Sequence, residues 1–121
     1  MASKRGPRAP DGLDDDAKAL WHETLRALID QGTWADHDVE ALLRYVSAVQ
    51  TARVMRAEAA AEPWSTGSTG QLVAHPGWRV AADADRDAAR YAADMLLTPA
   101  ARKRAGVVAG HAHDLAITAM A

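Results

Sequence analysis

Residues 33–62 read TWADHDVEALLRYVSAVQTARVMRAEAAAE, and this stretch decides the fold because no glycine or proline interrupts it. Thr33, with Asp36 three residues later, marks a helix start, and Pro63 ends the helix because proline has no N–H to donate. We expect a helix of about 28 residues, about 40 Å long at about 1.5 Å per residue, which needs partners towards both of its ends. Its apolar residues recur at the three- and four-residue steps of one helix face: Val39, Leu42, Leu43, Val46 and Val49.

A shorter helix precedes the long one. Three aspartates, Asp14 to Asp16, lie where negative charge favours the positive end of a helix dipole. Gly32 lies where a helix end favours a left-handed residue, so the sequence predicts a helix from Asp14 to Gln31. Because the link of residues 32–35 is short, the two helices must be neighbours, either roughly antiparallel or crossing steeply. The apolar residues of the shorter helix keep helical spacing: Ala17, Leu20, Trp21, Leu25, Leu28 and Ile29.

The pattern changes after Pro63. Residues 64–73 are rich in turn formers and β-branched residues, which is typical of a small β-hairpin with its loop at residues 66–70. A flexible loop fits the same composition, since a lone two-stranded hairpin is marginally stable in water. The sequence leaves both alternatives open.

Two further helices follow this segment. A His-Pro pair at residues 75–76 opens the first, with proline at the first helical position. A Thr-Pro pair at residues 98–99 opens a short second helix over residues 100–105, which ends at Gly106. The sequence therefore predicts an all-α fold: a helical hairpin with one long central helix, a hairpin or loop insertion, and a C-terminal helix pair. The apolar face of the first of these helices is expected to contain Val80, Ala84, Ala88, Tyr91, Ala92, Met95 and Leu96.

With 121 residues, the chain is expected to be one domain with two tails. Residues 1–12 are rich in glycine, proline and basic residues, and we expect them to form a disordered basic tail. Residues 13–106 are expected to form the helical core and oligomerisation domain. Residues 107–121 are expected to form a C-terminal tail that docks on a partner as a helix.

Composition excludes several classes of protein. The chain has no cysteine, which rules out disulfide bonds and thiolate chemistry. No apolar run approaches the roughly 18 residues of a membrane span, and the first residues lack the apolar segment of a signal peptide. We therefore expect neither secretion nor membrane insertion.

Charge is distributed unevenly along the chain. The net charge is −2, and residues 11–30 hold six acids against Lys18 and Arg26. Basic clusters such as those at the chain ends bind phosphate in salt-dependent fashion, but they also occur in solvated tails and at contacts with partner proteins. Charge alone leaves these interpretations open. The basic residues at the two ends are Lys4, Arg5 and Arg8, and Arg102, Lys103 and Arg104.

Few residues follow a catalytic or metal-binding pattern. His111, His113 and Asp114 are metal-ligand types, but residues two apart on a helix point in different directions, and the HExxH spacing is absent. The glycines of residues 67–70 have no lysine after them and open no helix, so they do not form a phosphate loop. Acidic residues open the long helix, and phosphate would repel them, so that helix is not a base-reading one. We expect no catalytic residue, no metal and no cofactor.

Several short motifs are more specific in their order than any one of them alone. They are Asp11-Gly12-Leu13, Trp21 in a helix with an acidic start, Gln31-Gly32 at its end, Asp38 at the head of the long helix with Leu42-Leu43-x-Tyr45, a glycine-containing polar segment, His75-Pro76, and Met95-Leu96-Leu97-Thr98-Pro99-Ala100-Ala101-Arg102. In that order they resemble the small terminase subunit family of tailed bacteriophages, of the type that closes on Leu-Gly-Leu-Thr-Pro-x-x-Arg, over residues 11–106. Leu96 stands where that pattern has glycine, so we expect a tighter helical turn before Thr98.

The resemblance implies a ring-forming protein that is not itself an enzyme. Such subunits recognise double-stranded viral DNA in the host cytoplasm, initiate genome packaging, and recruit and regulate the large terminase subunit, which holds the ATPase and nuclease. The alternative is a helical adaptor or antitoxin-like interaction module without a role on DNA. Charge alone nominates as DNA contacts Lys4, Arg5, Arg8, Arg102, Lys103 and Arg104. Apolar tail residues nominated for docking the large subunit are Leu115, Ile117 and Met120.

Overall fold

The computed structural model describes residues 6–107 of the chain. Over these residues the chain is mostly helical with one small antiparallel sheet, as the sequence predicts. The central helix packs against both its predecessor and its successor in the chain. The helices are α1 (Asp15–Gln31), α2 (Val39–Ala61), α3 (Gly77–Asp94) and α4 (Pro99–Ala105), with a one-turn 3-10 helix at Asp36–Asp38, and the strands are β1 (Trp64–Thr66) and β2 (Leu72–Ala74).

Helix α1 begins and ends where its local chemistry predicts. The Asp14 carboxylate accepts a hydrogen bond from the Ala17 N–H at 2.9 Å, which satisfies a free donor of the first turn. At the other end, Gly32 adopts a left-handed conformation with φ 80°. The Thr33 N–H then donates to the Leu28 carbonyl at 3.1 Å, so the last carbonyls of α1 are also satisfied.

Helix α2 begins later than expected, at Val39 rather than at Thr33. The Ala35 N–H donates to the Asp38 carboxylate at 3.1 Å, and the Asp38 N–H donates back to the Ala35 carbonyl at 2.9 Å, which closes the 3-10 turn. The extended backbone at Ala35 lets Trp34 pack against the core instead of continuing a helix. The helix is therefore 23 residues long, and it ends before Pro63 as predicted.

The largest buried side chains lie between α1 and the N-terminal half of α2. We call this part, residues 6–46, the corner. Trp21 and Leu42 are wholly buried here, and Leu25 and Val46 pack beside them. Burial of such large apolar groups contributes roughly 1.5–3 kcal/mol each, so the corner is the main hydrophobic core of the described chain.

The segment before α1 packs against that helix, whereas we expected residues 1–12 to be a disordered tail. The Trp21 indole N–H donates to the Pro7 carbonyl at 3.0 Å. Gly6 has φ +72°, and a Cβ there would lie 2.6 Å from Leu25 Cδ2. The buried indole needs a hydrogen-bond acceptor, and the glycine allows the backbone to approach closely enough to supply it.

The link between α2 and α3 is a β-hairpin, not a flexible loop. Strands β1 and β2 pair antiparallel, with Trp64 opposite Ala74 and Thr66 opposite Leu72. The Gly67 N–H donates to the Gln71 carbonyl at 2.7 Å and closes the loop. The His75 N–H continues the pairing by donating to the Pro63 carbonyl at 2.9 Å.

Helices α2 and α3 pack through small residues along the part of the chain that we call the arm, residues 52–90. Val80 was expected on the packed face but is 42% exposed, whereas Ala81 beside it is buried. The reason is close approach: a Cβ at Gly77 would lie 3.0 Å from the Met55 backbone carbonyl. Pro76 precedes α3 as its cap rather than opening its first turn. The buried residues of this interface are Ala52, Ala59, Gly77, Ala81, Ala84 and Ala88.

Leu96 overturns the expectation of a tighter helical turn before Thr98. It adopts the left-handed conformation, with φ 62°, that glycine adopts in the corresponding position after α1 and α4. The Leu96 N–H donates to the Ala93 carbonyl at 3.0 Å, and the Leu97 N–H donates to the Ala92 carbonyl at 2.8 Å. This is the Schellman arrangement, so the chain keeps the glycine-type turn with a leucine in it.

Candidate nucleic-acid interface

Helix α4 carries three of the predicted DNA contacts. Thr98 caps its start by accepting a hydrogen bond from the Ala101 N–H at 3.2 Å, and Gly106 ends it. Lys103 and Arg104 are exposed, and Arg102 is half-buried. All three lie in the last turn, where positive charge favours the negative end of the helix dipole.

Two hydrogen bonds to one oxygen hold α4 beside the end of α1. The Leu96 carbonyl accepts from Gln31 Nε2 at 3.2 Å and from an Arg102 guanidinium nitrogen at 3.5 Å. Met95, just before that turn, packs against the corner. The basic helix α4 therefore lies at the C-terminal end of α1, next to the corner.

Arg8 lies at a cleft of about 760 Å³ between the N-terminal segment and α1. Sequence reasoning singled out Arg8 but missed the basic side chains across from it. The spacing of His22 and Arg26, four residues apart on α1, places both on one helix face and was the available signal. The cleft is lined by Gly6, Pro7, Arg8, His22, Arg26, Ile29 and Asp30.

Ion pairs separate the basic residues into two groups. Five of the six arginines on α2 and α3 hold a carboxylate, and Arg79 is the exception. Within residues 6–107, none of the basic residues on the N-terminal segment, α1 or α4 forms an ion pair. The pairs are Arg44 with Glu40, Arg53 with Asp14 and Asp16, Arg56 with Asp85, Arg86 with Asp83, and Arg90 with Asp87.

The predicted site residues do not all converge. Across the described chain, no hydrogen bond or ion pair joins Arg8 to α4, so the two basic groups are separate features near α1. Lys4 and Arg5 lie outside the described residues. So do the tail residues nominated for docking, Leu115, Ile117 and Met120, and the metal-ligand types His111, His113 and Asp114.

A second surface feature is apolar. Residues 63–78 contain no Asp, Glu, Lys or Arg. Trp64 is 58% exposed, and Leu72 is 69% exposed on the same outer face of the hairpin. Trp78, at the start of α3, is exposed nearby in the chain. We call Trp64, Leu72 and Trp78 the hairpin patch.

A comparison with known families decides the identity of the chain. The family described as phage terminase, small subunit, matches residues 17–111, which include the four helices almost completely and the hairpin. The chain belongs to the phage terminase small-subunit family. Membership assigns it a role in phage DNA packaging, and small terminase subunits are generally non-catalytic. No curated protein and no solved structure matches the chain.

The described part of this terminase chain contains neither a membrane-spanning helix nor a group of metal-ligand side chains. No helix among residues 6–107 is long and apolar enough to cross a membrane. The same residues contain no group of three or more His, Cys, Asp or Glu side chains arranged to hold a metal ion.

Proposed function

We propose that the chain is the DNA-recognising small subunit of a phage terminase. It binds double-stranded viral DNA in the host cytoplasm, initiates genome packaging, and recruits or regulates the large terminase subunit, without catalytic activity of its own. The observation that supports DNA binding most strongly is the separation of unpaired from paired basic residues. The described residues that charge nominates as DNA contacts, Arg8 at the cleft and the three basic residues of α4, are all unpaired.

The physical reason is the cost of exchanging one anion for another. An arginine that already holds a carboxylate must break that pair, or bring the negative charge with it, before it contacts phosphate. An unpaired basic group contacts phosphate directly and releases a condensed counterion from the DNA. Phosphate contacts of this kind supply affinity and position rather than base specificity. The described residues that fit this role are Arg8, Arg102, Lys103 and Arg104, and Lys4 and Arg5 stay predicted contacts.

Assembly into a homo-oligomeric ring is part of the proposal. The hairpin patch supports it, because a second copy can cover these apolar side chains without burying a charge. If each copy offers the patch to a different surface on its neighbour, the contacts are head-to-tail and close into a ring. A ring also repeats the basic residues, so weak phosphate contacts add up through avidity.

Docking of the large subunit is assigned to the C-terminal tail. Its apolar residues, Leu115, Ile117 and Met120, suit a short helix that docks on a partner. A chain truncated after Val107 should keep its number of chains per assembly and its DNA affinity but no longer bind the large subunit in a pull-down with both purified proteins. Loss of assembly on truncation would contradict this assignment.

The DNA-binding proposal is tested with alanine at Arg102, Lys103 and Arg104 together. Duplex affinity, measured by fluorescence anisotropy over a salt series, should fall. The slope of log affinity against log salt concentration should become shallower by roughly 0.9 for each phosphate group that the variant no longer neutralises. The matched control removes the same charge from Arg44, Arg86 and Arg90, which hold carboxylates within their own helices. Equal reductions in affinity in the two variants would refute the assignment to α4.

The hairpin patch also favours a second candidate function, that of a non-catalytic helical adaptor. Native mass by light scattering after size exclusion separates the two. A single large species of about eight or more chains supports the packaging ring, whereas a monomer or two-fold dimer without DNA affinity supports the adaptor.

A further inference from the structure

We infer that the cleft between the N-terminal segment and α1 is a built phosphate site, with Arg8 and Arg26 as its two guanidinium donors. The ligand is a phosphodiester group of the duplex backbone. This inference rests on the proposed function and adds to it a defined site, which includes Arg26 and His22, residues that the charge clusters at the chain ends do not contain.

Helix α1 supplies one wall of the site. His22 and Arg26 are one turn apart, so their side chains lie on the same face of the helix. Both are exposed and both line the cleft. Arg8 lines it from the N-terminal segment, which means that basic groups approach the cleft from two separate parts of the chain.

The N-terminal wall of the cleft is anchored to α1. The Trp21 indole, which is wholly buried, fixes the Pro7 carbonyl at 3.0 Å. Gly6 lies so close to Leu25 that a Cβ would overlap it, so the segment is fitted tightly to α1 on that side. Arg8 follows directly after this anchored pair. A site whose backbone is already fixed loses less conformational entropy on binding than a mobile tail does.

The two arginines of the cleft favour the binding of an anion, and its one carboxylate opposes it. Neither Arg8 nor Arg26 forms an ion pair with another described residue, and each guanidinium keeps its fork of N–H donors for phosphate oxygens. Asp30, one turn beyond Arg26, is the carboxylate of the lining. It repels an anion, so replacing it with asparagine should tighten binding, whereas a purely structural role of the cleft predicts no such gain.

The test compares Arg26→Ala with Lys18→Ala. Both residues are exposed on α1, both lack an ion-pair partner among the described residues, and each substitution removes one positive charge. We expect Arg26→Ala to weaken duplex binding about tenfold, as for removal of a charge-assisted hydrogen bond. Lys18→Ala should weaken it less than about twofold, as for a change in general surface charge. Equal effects of the two substitutions would overturn the inference.

A second measurement separates this inference from the proposed function. Isothermal titration of the full chain with inorganic pyrophosphate reports on the cleft whether or not the chain binds DNA. Heat of binding that is retained in Lys18→Ala, lost in Arg26→Ala and increased in Asp30→Asn supports the site, even if the duplex does not bind and the proposed function fails. Duplex binding with no difference between the Arg26 and Lys18 variants, and no effect of either on pyrophosphate, overturns the site and leaves the proposed function standing.

Discussion

The two ends of α2 are held by different means. At the corner, its N-terminal half meets Trp21 and Leu25 of α1, and large apolar side chains fill the interface. Along the arm, its C-terminal half meets α3 almost entirely through alanine. The corner is stabilised by buried area, whereas the arm relies on backbones that approach closely, because an alanine buries little area of its own. The same helix therefore tolerates different kinds of change at its two ends.

Charge follows a related division between elements. The arginines of α2 and α3 are mostly occupied by carboxylates, and Arg56 on α2 reaches across to Asp85 on α3. The basic residues on the N-terminal segment, α1 and α4 have no such partners among the described residues. Exposed pairs contribute little stability one by one, but in the arm they occupy every arginine except Arg79.

The largest effect is expected at the corner. Trp21→Ala removes the central side chain and releases the Pro7 carbonyl, so the free energy of unfolding should fall by about 3–5 kcal/mol in urea denaturation. Trp21→Phe keeps most of the apolar volume and lacks only the indole N–H, so it should cost less than the alanine variant. A reduction below about 1 kcal/mol for Trp21→Ala would show that the corner is not the main core.

A smaller loss of stability is expected on the arm, where a side chain is enlarged instead of removed. Ala81→Leu adds volume where the helices are closest, and overpacking of this sort costs about 1–3 kcal/mol. Ala82→Leu is the matched control, since Ala82 is exposed one residue along the same helix, and it should change the free energy of unfolding by less than about 0.5 kcal/mol. Equal stabilities of the two variants in urea denaturation would mean that α2 and α3 are not closely packed.

The turn that returns the chain from the arm to the corner provides a finer test. Leu96→Gly and Leu96→Ala remove nearly the same side chain, but only glycine adopts φ 62° without steric cost. We expect the glycine variant to be more stable than the alanine variant by about 1 kcal/mol, the reverse of their order within a helix. An alanine variant at least as stable in denaturation would show that the left-handed turn is not strained.

The smallest effect concerns pH. The Ala17 N–H, and then Arg53, lower the pKa of Asp14 below its ordinary value of 3.8. A lowered pKa in the folded state means that the ionised carboxylate stabilises the fold above the unfolded value, and that this contribution is lost as the pH falls through the folded value. Asp14→Asn keeps a capping oxygen without the charge. The Tm difference between wild type and variant should therefore have its full size at neutral pH and shrink below pH 3.8. A Tm difference that stays constant with pH would exclude this linkage.

Features governed by local chemistry were predictable from the sequence. Asp14 and Gly32 bound α1, Thr98 and Gly106 bound α4, and each acts through backbone groups within a few residues. The hairpin was one of two alternatives, because its stability depends on the helices at its base. The resemblance to small terminase subunits was also visible in the ordered motifs, and the family match confirms the family.

Features governed by tertiary contacts were not predictable in the same way. The late start of α2 depends on Trp34 reaching the core, and the burial of Ala81 in place of Val80 depends on how closely α3 approaches α2. The cleft required knowing that Pro7 lies against Trp21, because only then do Arg8 and Arg26 face one space. Such pairings depend on the whole fold, and spacing along the chain does not determine them.

Amide hydrogen exchange of the unmodified chain, with and without duplex DNA, tests most directly where the molecule meets nucleic acid. We predict that DNA slows exchange in α4, around Arg8 and in the turns of α1 that carry His22 and Arg26, and leaves the exposed surface of the arm unchanged. Protection confined to residues 52–90, or no protection under conditions where the duplex is bound, would contradict the division of the molecule into a structural arm and a phosphate-binding end.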